Sequence, residues 1–439
     1  MKKILHIMYK TSSKEDYMIR KLSFYSIGIF IIYCLFMYWY FFFFADNTIP
    51  FEFQQTQADP AMFLDPKEFL LNEQFATIKN FLYFVATPLE WLIYFLLLIT
   101  GLNKYLFKSG QEATKIHWLH VPIYVFWVTL ITNLLIFPLT YFNYYLSKTY
   151  QVSIQSFPSW MKEELIDFWL VLLVTIVVVI VIYSILKKFK KMGWFLVWML
   201  SVPVILVTMY IYPVVIDPLY NEFTPIQNKE LETKILNLAN QSGIPVKSVY
   251  QVNVSEKTNA INAYVTGIGN NARIVLWDST LQKLTDEEIL YIMAHEIAHY
   301  VNKDVTKSIA GYLLLSFFMF YLVSKLYNKV ITNHGRLLKI DSPKDTKAYT
   351  LLILLLSILL FIASPMANAV SRQQERTADT FALELMKDPD AAISTYQKLA
   401  RDNRSQINPP FLVKVFKSTH PSILERISKL EQYKIENRK

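Results

Sequence analysis

The sequence predicts a mainly α-helical membrane protein with seven spans and a small α+β domain. Two observations lead to this prediction. Apolar residues make up 53% of the 439 residues and the mean hydropathy is +0.27, a balance that one ordinary soluble domain does not have. These residues gather in seven stretches, and a long polar block between the fifth and sixth stretches combines helical and strand patterns.

The composition excludes several other classes of protein. An aromatic content of 15% excludes a disordered chain, and a single cysteine, Cys34, excludes a disulfide-stapled scaffold. The net charge is +9, but Lys and Arg occur in short runs between the apolar stretches. Such runs favour contact with the lipid bilayer and not with nucleic acid.

Each apolar stretch is a candidate membrane helix, because the ~30 Å hydrocarbon core requires about 20 apolar residues at about 1.5 Å each. The stretches are residues 22–44, 81–102, 118–146, 165–186, 194–216, 310–324 and 349–363. The last two are short, so we expect them to be tilted, partly re-entrant or extended by amphipathic flanks. The first is expected to be a retained anchor, since no small-residue cleavage site follows it.

The polar block begins at residue 217 and has regular patterns. Apolar residues at helical spacing predict an amphipathic helix that ends near Gly243; they are Leu231, Ile235 and Leu238. Runs of β-branched and apolar residues at 249–254 and 272–277 predict strands, and the stretch 267–272 is interpreted as a turn. Thr285 and Glu288 match a capping box, which predicts a helix through Asn302.

The helix after the capping box carries the pattern H-E-x-x-H at residues 295–299. Four residues are little more than one helical turn, so His295 and His299 project from the same face and are able to bind one zinc ion. Glu296 follows the first histidine, where its carboxylate is placed to take a proton from a metal-bound water. The motif therefore predicts a zinc metalloprotease domain.

A catalytic zinc usually has three protein ligands, so a third residue must come from elsewhere. The extended metzincin pattern is not met, because Asn302 and Val305 occupy its Gly and His positions. Asp304 lies nearby at a different spacing. Glu375 and Asp379, at i and i+4 on a predicted helix, offer one carboxylate for the metal and one for the N–H of a ligating histidine. An exposed helix face has the same spacing, so the third ligand stays open at this point.

Six motifs stand together in this chain: IDPLYNEFTP at 216–225, NAYVTG at 262–267, RIVLWD at 273–278, HEIAH at 295–299, NAVSRQQERTAD at 368–379 and THP at 419–421. With them the chain closely resembles the integral-membrane type I CAAX prenyl endopeptidases, a family of zinc metalloproteases. The resemblance covers about residues 211–426 by motif and the whole chain by its seven-span plan.

The resemblance implies that the domain is a gluzincin-like zinc metalloprotease domain, and it implies roles for individual residues. His295, His299 and Glu375 match the ligands of one Zn²⁺ per chain, Glu296 matches the general base, and Asp379 matches a carboxylate that supports a ligand.

Further positions match the family near its metal. Asn262, Ala263 and Tyr264 match an extended segment that is expected to pair with the substrate backbone. His420 and Arg426 match residues near the metal, where we expect His420 to steady the oxyanion and Arg426 to pair with a carboxylate.

The predicted organisation has four parts. They are a five-span membrane region at 1–216, a catalytic block at 217–309, a two-span hairpin at 310–367 and a C-terminal region at 368–439 that supplies the third ligand. The zinc site therefore combines two segments that a membrane hairpin separates in the sequence.

The predicted activity is zinc-dependent hydrolysis of membrane-associated, hydrophobic or lipidated peptides; prenylated CAAX-type substrates rest on the resemblance alone. Two alternatives were weighed. An intramembrane site-2-type protease is expected to carry its motif within a span and a distant Leu-Asp-Gly, which this sequence lacks. A non-catalytic binding or chaperone-like scaffold is expected to lose the base or a ligand, and all four residues are present.

Loop charges predict the side of the membrane that the site faces. The N-terminal segment and the second, fourth and sixth loops hold 19 Lys and Arg, whereas the first and third loops hold 4. Positively charged short loops are cytoplasmic, so this bias predicts an extracytoplasmic zinc site. Eukaryotic members of the family are understood to face the cytosol, so the analogy gives the opposite side.

Overall fold

The computed structural model describes residues 14–189, 191–211, 216–244, 246, 248–266 and 273–437. Most of these residues lie in helices. The N-terminal half contains α1 (Lys14–Trp39), α2 (Pro66–Ile99), α3 (Leu102–Ala113), α4 (His120–Thr149), α5 (Phe157–Lys188) and α6 (Gly193–Ile211). The last residues of the fifth predicted span, 212–215, lie outside the described part of the chain.

Six of the described helices are long and apolar enough to cross a membrane, and α6 adds a shorter apolar helix. Each of the seven predicted spans falls on one of these helices. The fold class, a mainly helical membrane protein with a small sheet-containing domain, is confirmed.

The last two spans are much longer than their apolar stretches. Helix α10 (Asp304–Leu338) has 35 residues and α11 (Tyr349–Met386) has 38. At about 1.5 Å per residue α11 is about 57 Å long, well beyond the ~30 Å hydrocarbon core. We expected these spans to be tilted, partly re-entrant or extended by amphipathic flanks. In the structure both helices extend beyond their apolar stretches. Helix α11 is continuous across residue 367, so it carries the chain from the membrane into the C-terminal region. The polar block and this C-terminal region share one core and are together called the polar domain.

The polar block contains a four-stranded sheet, with one helix between its first two strands and two helices after its last strand. The strands are β1 (Phe223–Pro225), β2 (Val249–Val252), β3 (Ala263–Thr266) and β4 (Arg273–Trp277), in the spatial order β1-β2-β4-β3. Strands β2 and β4 are parallel, and the outer pairs β1–β2 and β3–β4 are antiparallel. The predicted strands at 249–254 and 272–277 are confirmed, while the predicted turn at 267–272 lies outside the described residues.

Three helices belong to this block: α7 (Lys229–Gln241), α8 (Asp278–Lys283) and α9 (Asp286–Val301). The three residues that predicted α7 are all buried, as an amphipathic helix requires. Helix α9 begins with the predicted capping box, in which the Thr285 side chain accepts from the Glu288 N–H and the Glu288 carboxylate accepts from the Thr285 N–H. This box fixes the start of the helix that carries the histidine pair.

The C-terminal region adds α12 (Pro389–Asp402), α13 (Phe411–Phe416) and α14 (Ile423–Glu436). Its apolar residues share one core with the polar block, since Ile393, Ile427 and Leu430 pack in the same cluster as Ile289 and Met293 of α9. Burial of this joint core holds together two segments that are distant in sequence.

The loops of the membrane helices meet on two opposite faces. On one face they contact the polar domain: the Ile154 N–H donates to the Lys257 carbonyl at 2.9 Å, and Arg401 donates to the Phe63 carbonyl at 2.6 Å. On the other face the loops contact one another, as when Lys344 donates to the Lys187 carbonyl at 2.9 Å. The polar domain therefore sits on one membrane face only.

Candidate active site

The two histidines of H-E-x-x-H face each other on α9. The Nε2 atoms of His295 and His299 are 3.2 Å apart, because residues four apart lie on the same side of a helix. The His295 side chain is only 8% exposed and that of His299 is 21% exposed. Two imidazole nitrogens thus converge on one nearly buried point.

The other nitrogen of each ring bonds a carboxylate. His295 Nδ1 lies 2.9 Å from Asp379 Oδ1, and His299 Nδ1 lies 3.0 Å from Asp304 Oδ2. A carboxylate accepts the Nδ1–H, so each neutral ring keeps its Nε2 lone pair for the point between the rings. This is the tautomer that a metal-binding histidine needs.

Asp304 reaches His299 because the chain turns sharply after α9. Lys303 has a left-handed backbone with φ of +56° and joins the end of α9 to the start of α10. The turn places the first residue of α10 against the preceding helix. From the sequence, Asp304 was considered only as a possible third ligand. The structure places it instead on Nδ1 of His299, the ring nitrogen that faces away from His295.

Glu375, on α11, faces the histidine pair from the opposite side. Its Oε2 lies 3.2 Å from His295 Nε2, and its Oε1 lies 3.4 Å from His299 Nε2. One ligand atom from each of these three residues lies within 4.8 Å of the others. Oε2 is buried and, within the described part of the chain, has no aligned hydrogen-bond partner. Two imidazole nitrogens and one carboxylate oxygen are the donors that Zn²⁺ prefers, so these residues fit a zinc ion.

Asp379 accepts three hydrogen bonds from two neighbours. Arg426 donates from Nε to Oδ2 at 2.9 Å and from Nη2 to Oδ1 at 2.5 Å, and the Tyr396 hydroxyl donates to Oδ1 at 2.6 Å. The guanidinium also lies over the Tyr396 ring, 4.2 Å from its centroid. This bidentate pair orients Asp379 toward His295.

The carboxylates around the rings favour positive charge at the centre of the site. Burial acts to lower the pKa of His295, but hydrogen bonds to Asp379 and Glu375 outweigh it and raise the pKa to about 9. The same electrostatic preference serves a proton or a metal cation. The surroundings therefore match the charge of the ion as well as its ligand types.

Glu296 lines a cavity that also has His295 in its wall. The cavity has a volume of about 650 Å³. Burial raises the pKa of Glu296, and the neighbouring His295 and His299 partly oppose that rise. A carboxylate with a raised pKa next to a metal site is suited to take up a proton.

The same cavity contains the other residues that the sequence singled out. Asn262, Ala263, His420 and Arg426 all line it. The His420 side chain is 57% exposed, and its Nε2 lies 3.3 Å from Glu375 Oε1. The structure thus brings these residues together around one cavity, although they come from three separate segments: the start of β3, the loop after α13, and α14.

Tyr264 is the exception, because its side chain lies on the other face of the sheet. There it packs with Val252 and Val275, away from α9, and its hydroxyl lies 3.5 Å from Asp217 Oδ2. Successive residues of a strand point to opposite faces. Only the backbone of Tyr264 is therefore close to the cavity.

Strand β3 is an edge strand of the described sheet. The Trp277 N–H donates to the Asn262 carbonyl at 3.1 Å, which sets the alternation of hydrogen bonds along the β3–β4 pair. By this alternation the backbone groups of Tyr264 bond to β4, whereas those of Ala263 and Val265 point to the free edge, where the Ala263 N–H donates to Asn262 Oδ1 at 2.9 Å. The free edge next to Glu296 is suited to pair with an extended peptide.

Sequence reasoning missed Tyr396 altogether. It lies on α12 and belongs to no motif near Asp379, so no spacing pattern pointed to it. Its burial, at 3% exposed, places a hydroxyl in the core that requires a partner. Asp379 is that partner.

Two family models match this chain. Residues 225–434 match the model described as peptidase family M48, and residues 45–222 match the model of the CAAX prenyl protease N-terminal region with five membrane helices. Together they cover the chain from residue 45 to residue 434 except residues 223–224, and α1 lies outside both.

Two curated relatives illustrate the range of similarity. A Bacillus subtilis protein called uncharacterized metalloprotease YhfN is 46% identical over 403 residues, which is 92% of this chain and 95% of that protein. An Arabidopsis thaliana CAAX prenyl protease 1 homolog is 32% identical over 241 residues, covering 54% of this chain and 55% of its own. The match to the plant protein thus spans about half of each chain.

A solved structure supports the fold. The crystal structure of S. mikatae Ste24p superposes with a TM-score of 0.75 at 21% sequence identity, covering 93% of this chain and 97% of that one. The membrane helices and the polar domain are therefore arranged as in that protein.

Proposed function

We propose, because this chain belongs to the M48 peptidase family and is a multi-pass membrane metalloendopeptidase of the CAAX prenyl protease type, that it is zinc-dependent and cleaves membrane-associated, hydrophobic or lipidated peptides. One observation carries the zinc assignment. Two histidine nitrogens and a glutamate oxygen lie within 4.8 Å of one another, and a carboxylate engages the other nitrogen of each histidine.

His295, His299 and Glu375 would hold the ion. Zinc bound there supplies Lewis acidity toward water and toward a peptide carbonyl. Three protein ligands leave a fourth position open for water or substrate, as in catalytic zinc sites. Asp379 and Asp304 hold the two rings in the ligating tautomer.

Glu296 is proposed as the general base. Its carboxylate lines the cavity next to the first ligand, so it is placed to take a proton from the attacking water and to return it to the leaving nitrogen. His420 lies on the cavity side of Glu375, where its ring N–H is suited to stabilise the developing oxyanion. The free edge of β3 is proposed to hold the peptide extended beside these groups.

The proposed substrate class rests on the position of the cavity and on the relatives. The cavity is bounded partly by Phe75 and Ala76 of the membrane helix α2 and by Val413 of α13, which favours apolar peptides that reach it from the bilayer. A second cavity of about 670 Å³ lies among the membrane helices, with Tyr83, Leu360 and Phe361 in its wall. Relatives named CAAX prenyl proteases support prenylated peptides as substrates.

The test is to replace Glu296 with Gln in the full-length protein. Zinc content per chain, measured by mass spectrometry of the purified protein, is expected to stay near one. Loss of a general base is expected to lower cleavage by about 10²- to 10⁴-fold, measured as new N-termini in membranes that contain either protein.

The matched control is Glu287→Gln, an exposed glutamate on the same helix, which is expected to keep both zinc and cleavage. Wild-type cleavage by the Glu296→Gln protein would remove Glu296 from the mechanism. Absence of zinc from the wild-type protein would contradict the cofactor assignment.

A further inference from the structure

Three basic side chains line the active-site cavity in addition to Arg426, which bonds Asp379. They are Lys79 of α2, Arg404 after α12 and Lys417 after α13. Glu296 is the one acidic residue among the described side chains in the cavity wall. The cavity wall therefore carries an excess of positive charge away from the metal ligands.

Lys79 and Lys417 are each held by a neutral side chain. Lys79 Nζ donates to Asn143 Oδ1 at 2.6 Å, and Lys417 Nζ donates to Asn80 Oδ1 at 2.6 Å. Each ammonium also lies 5.6 Å from an aromatic ring centroid, that of Phe75 or Tyr83. No carboxylate of the described residues lies within 4.0 Å of either Nζ. An ammonium has three N–H donors, so both groups keep donors for a ligand.

Two other cations of the described chain, Arg426 and Lys347, have side chains that are only 9% and 11% exposed, and both are paired with acids. Arg426 bonds Asp379, and Lys347 Nζ lies 3.0 Å from both Asp341 and Asp345. By contrast, burial and, to a smaller extent, the charge of Lys79 nearby lower the pKa of Lys417 to about 8. Two neighbouring cations without an anion are unfavourable in a desolvated site. A bound anion removes this cost.

We infer that Lys79 and Lys417 form a subsite for a carboxylate of the bound peptide, placed to receive its C-terminal α-carboxylate. Every unmodified peptide has this group, so binding it requires no particular side chain. The same cavity contains Glu296 and the edge of β3, and a cavity of about 650 Å³ holds only a short length of peptide. The subsite would thus direct cleavage to positions near a C-terminus. This inference rests on the peptidase function proposed above.

The inference is tested by binding to zinc-loaded Glu296→Gln protein, so that the readout does not require cleavage. The ligand is a farnesylated CAAX-type peptide with a fluorescent label, made with a free C-terminal carboxylate, with a C-terminal amide, or with the amide and a Glu as its last residue. Charge-assisted hydrogen bonds favour the carboxylate, so the free acid is expected to bind about tenfold more tightly than the plain amide.

The ratio of acid to amide affinity is then measured in three variants. Lys417→Met and Lys79→Met are each expected to bring the ratio close to one. The matched control is Lys414→Met, since Lys414 Nζ also donates to an asparagine oxygen, Asn408 Oδ1, at 2.7 Å but lies outside the cavity. It is expected to keep the full ratio. Using a ratio within each variant separates subsite loss from a general loss of folded protein.

The outcomes separate the inference from the proposed function. The subsite would be overturned if the Glu296→Gln protein with both lysines intact bound the acid and the amide equally tightly, or bound neither. Tight binding of the Glu-containing amide would support a carboxylate subsite but assign it to an acidic side chain. If the wild-type protein cleaves none of these peptides while the acid preference holds, the peptidase proposal fails for this substrate and the subsite stands.

Discussion

Asp304 and Glu375 both touch the histidine pair, but they touch different ring nitrogens. Glu375 faces the two Nε2 atoms, whereas Asp304 bonds Nδ1 of His299. A ligand and a ligand-supporting carboxylate differ in what their removal does. Loss of a ligand leaves the metal with only two protein ligands. Loss of a carboxylate that supports a ligating histidine weakens metal affinity by about 10- to 100-fold.

We therefore predict that Glu375→Ala abolishes stoichiometric zinc binding and that Asp304→Ala retains zinc with weaker affinity. The measurement is zinc content after dialysis against a graded series of chelator concentrations. The control is Glu384→Ala, an exposed glutamate on the same helix as Glu375, which is expected to match the wild type. Full zinc retention by Glu375→Ala together with loss in Asp304→Ala would exchange the two roles.

The residues of the site differ in how visible they are in the sequence. The histidine pair and Glu296 belong to one helical turn, so local spacing predicts their common face. Glu375 lies 76 residues after His299, and only the family resemblance singled it out. Tyr396 reaches Asp379 because α11 and α12 pack against the same core. No local pattern encodes such a contact.

At the scale of elements, β3 presents alternating backbone groups to its two sides. The N–H groups of Ala263 and Val265 point to the free edge, while that of Tyr264 points toward β4. Proline removes the N–H and is tolerated in a strand where that group is not part of the ladder. The strand therefore offers a test of substrate pairing with an internal control.

We predict that Val265→Pro and Ala263→Pro lower peptide cleavage while zinc content stays near that of the wild type. Tyr264→Pro is the control, since it removes a ladder hydrogen bond and is expected to reduce folded protein, zinc and cleavage together. Cleavage, zinc content and thermal unfolding are measured for all three. Unchanged cleavage by the Val265→Pro protein, with unfolding at the wild-type temperature, would rule out substrate pairing at this edge.

The elements also show where sequence patterns stop being informative. Hydropathy located all seven spans but ended the last two at residues 324 and 363, because the helices continue as amphipathic segments. The capping box located the start of α9 to the residue. Strand β1 has only 3 residues, too few for an alternating pattern to be recognised, and the 4 residues of β3 were identified only through the extended segment that the family resemblance implies. They form because the two central strands offer them hydrogen-bonding edges.

For the whole molecule, the two membrane faces differ in charge and in contacts. The polar domain, with the loops around residues 45–65 and 150–156, occupies one face. Lys104 of α3, Lys187 at the end of α5 and the loop with Lys344 occupy the other. There Lys344 donates to the Lys187 carbonyl and Asn103 donates to the Lys347 carbonyl. The charge-rich loops and the candidate active site are therefore on opposite sides of the bilayer.

We predict from this arrangement that the active site faces away from the cytoplasm, because short positively charged loops stay inside. The test replaces Cys34, the single native cysteine, with Ser and introduces one cysteine at Gln241 or at Gln111, both exposed. Gln241 lies in the polar domain and Gln111 on the opposite face. A membrane-impermeant thiol reagent applied to intact cells is expected to label the Gln241→Cys protein and to label the Gln111→Cys protein only after the membrane is permeabilised. The reverse pattern would place the site on the cytoplasmic side, in agreement with the eukaryotic family members, and would show that the long polar domain overrides the loop charges.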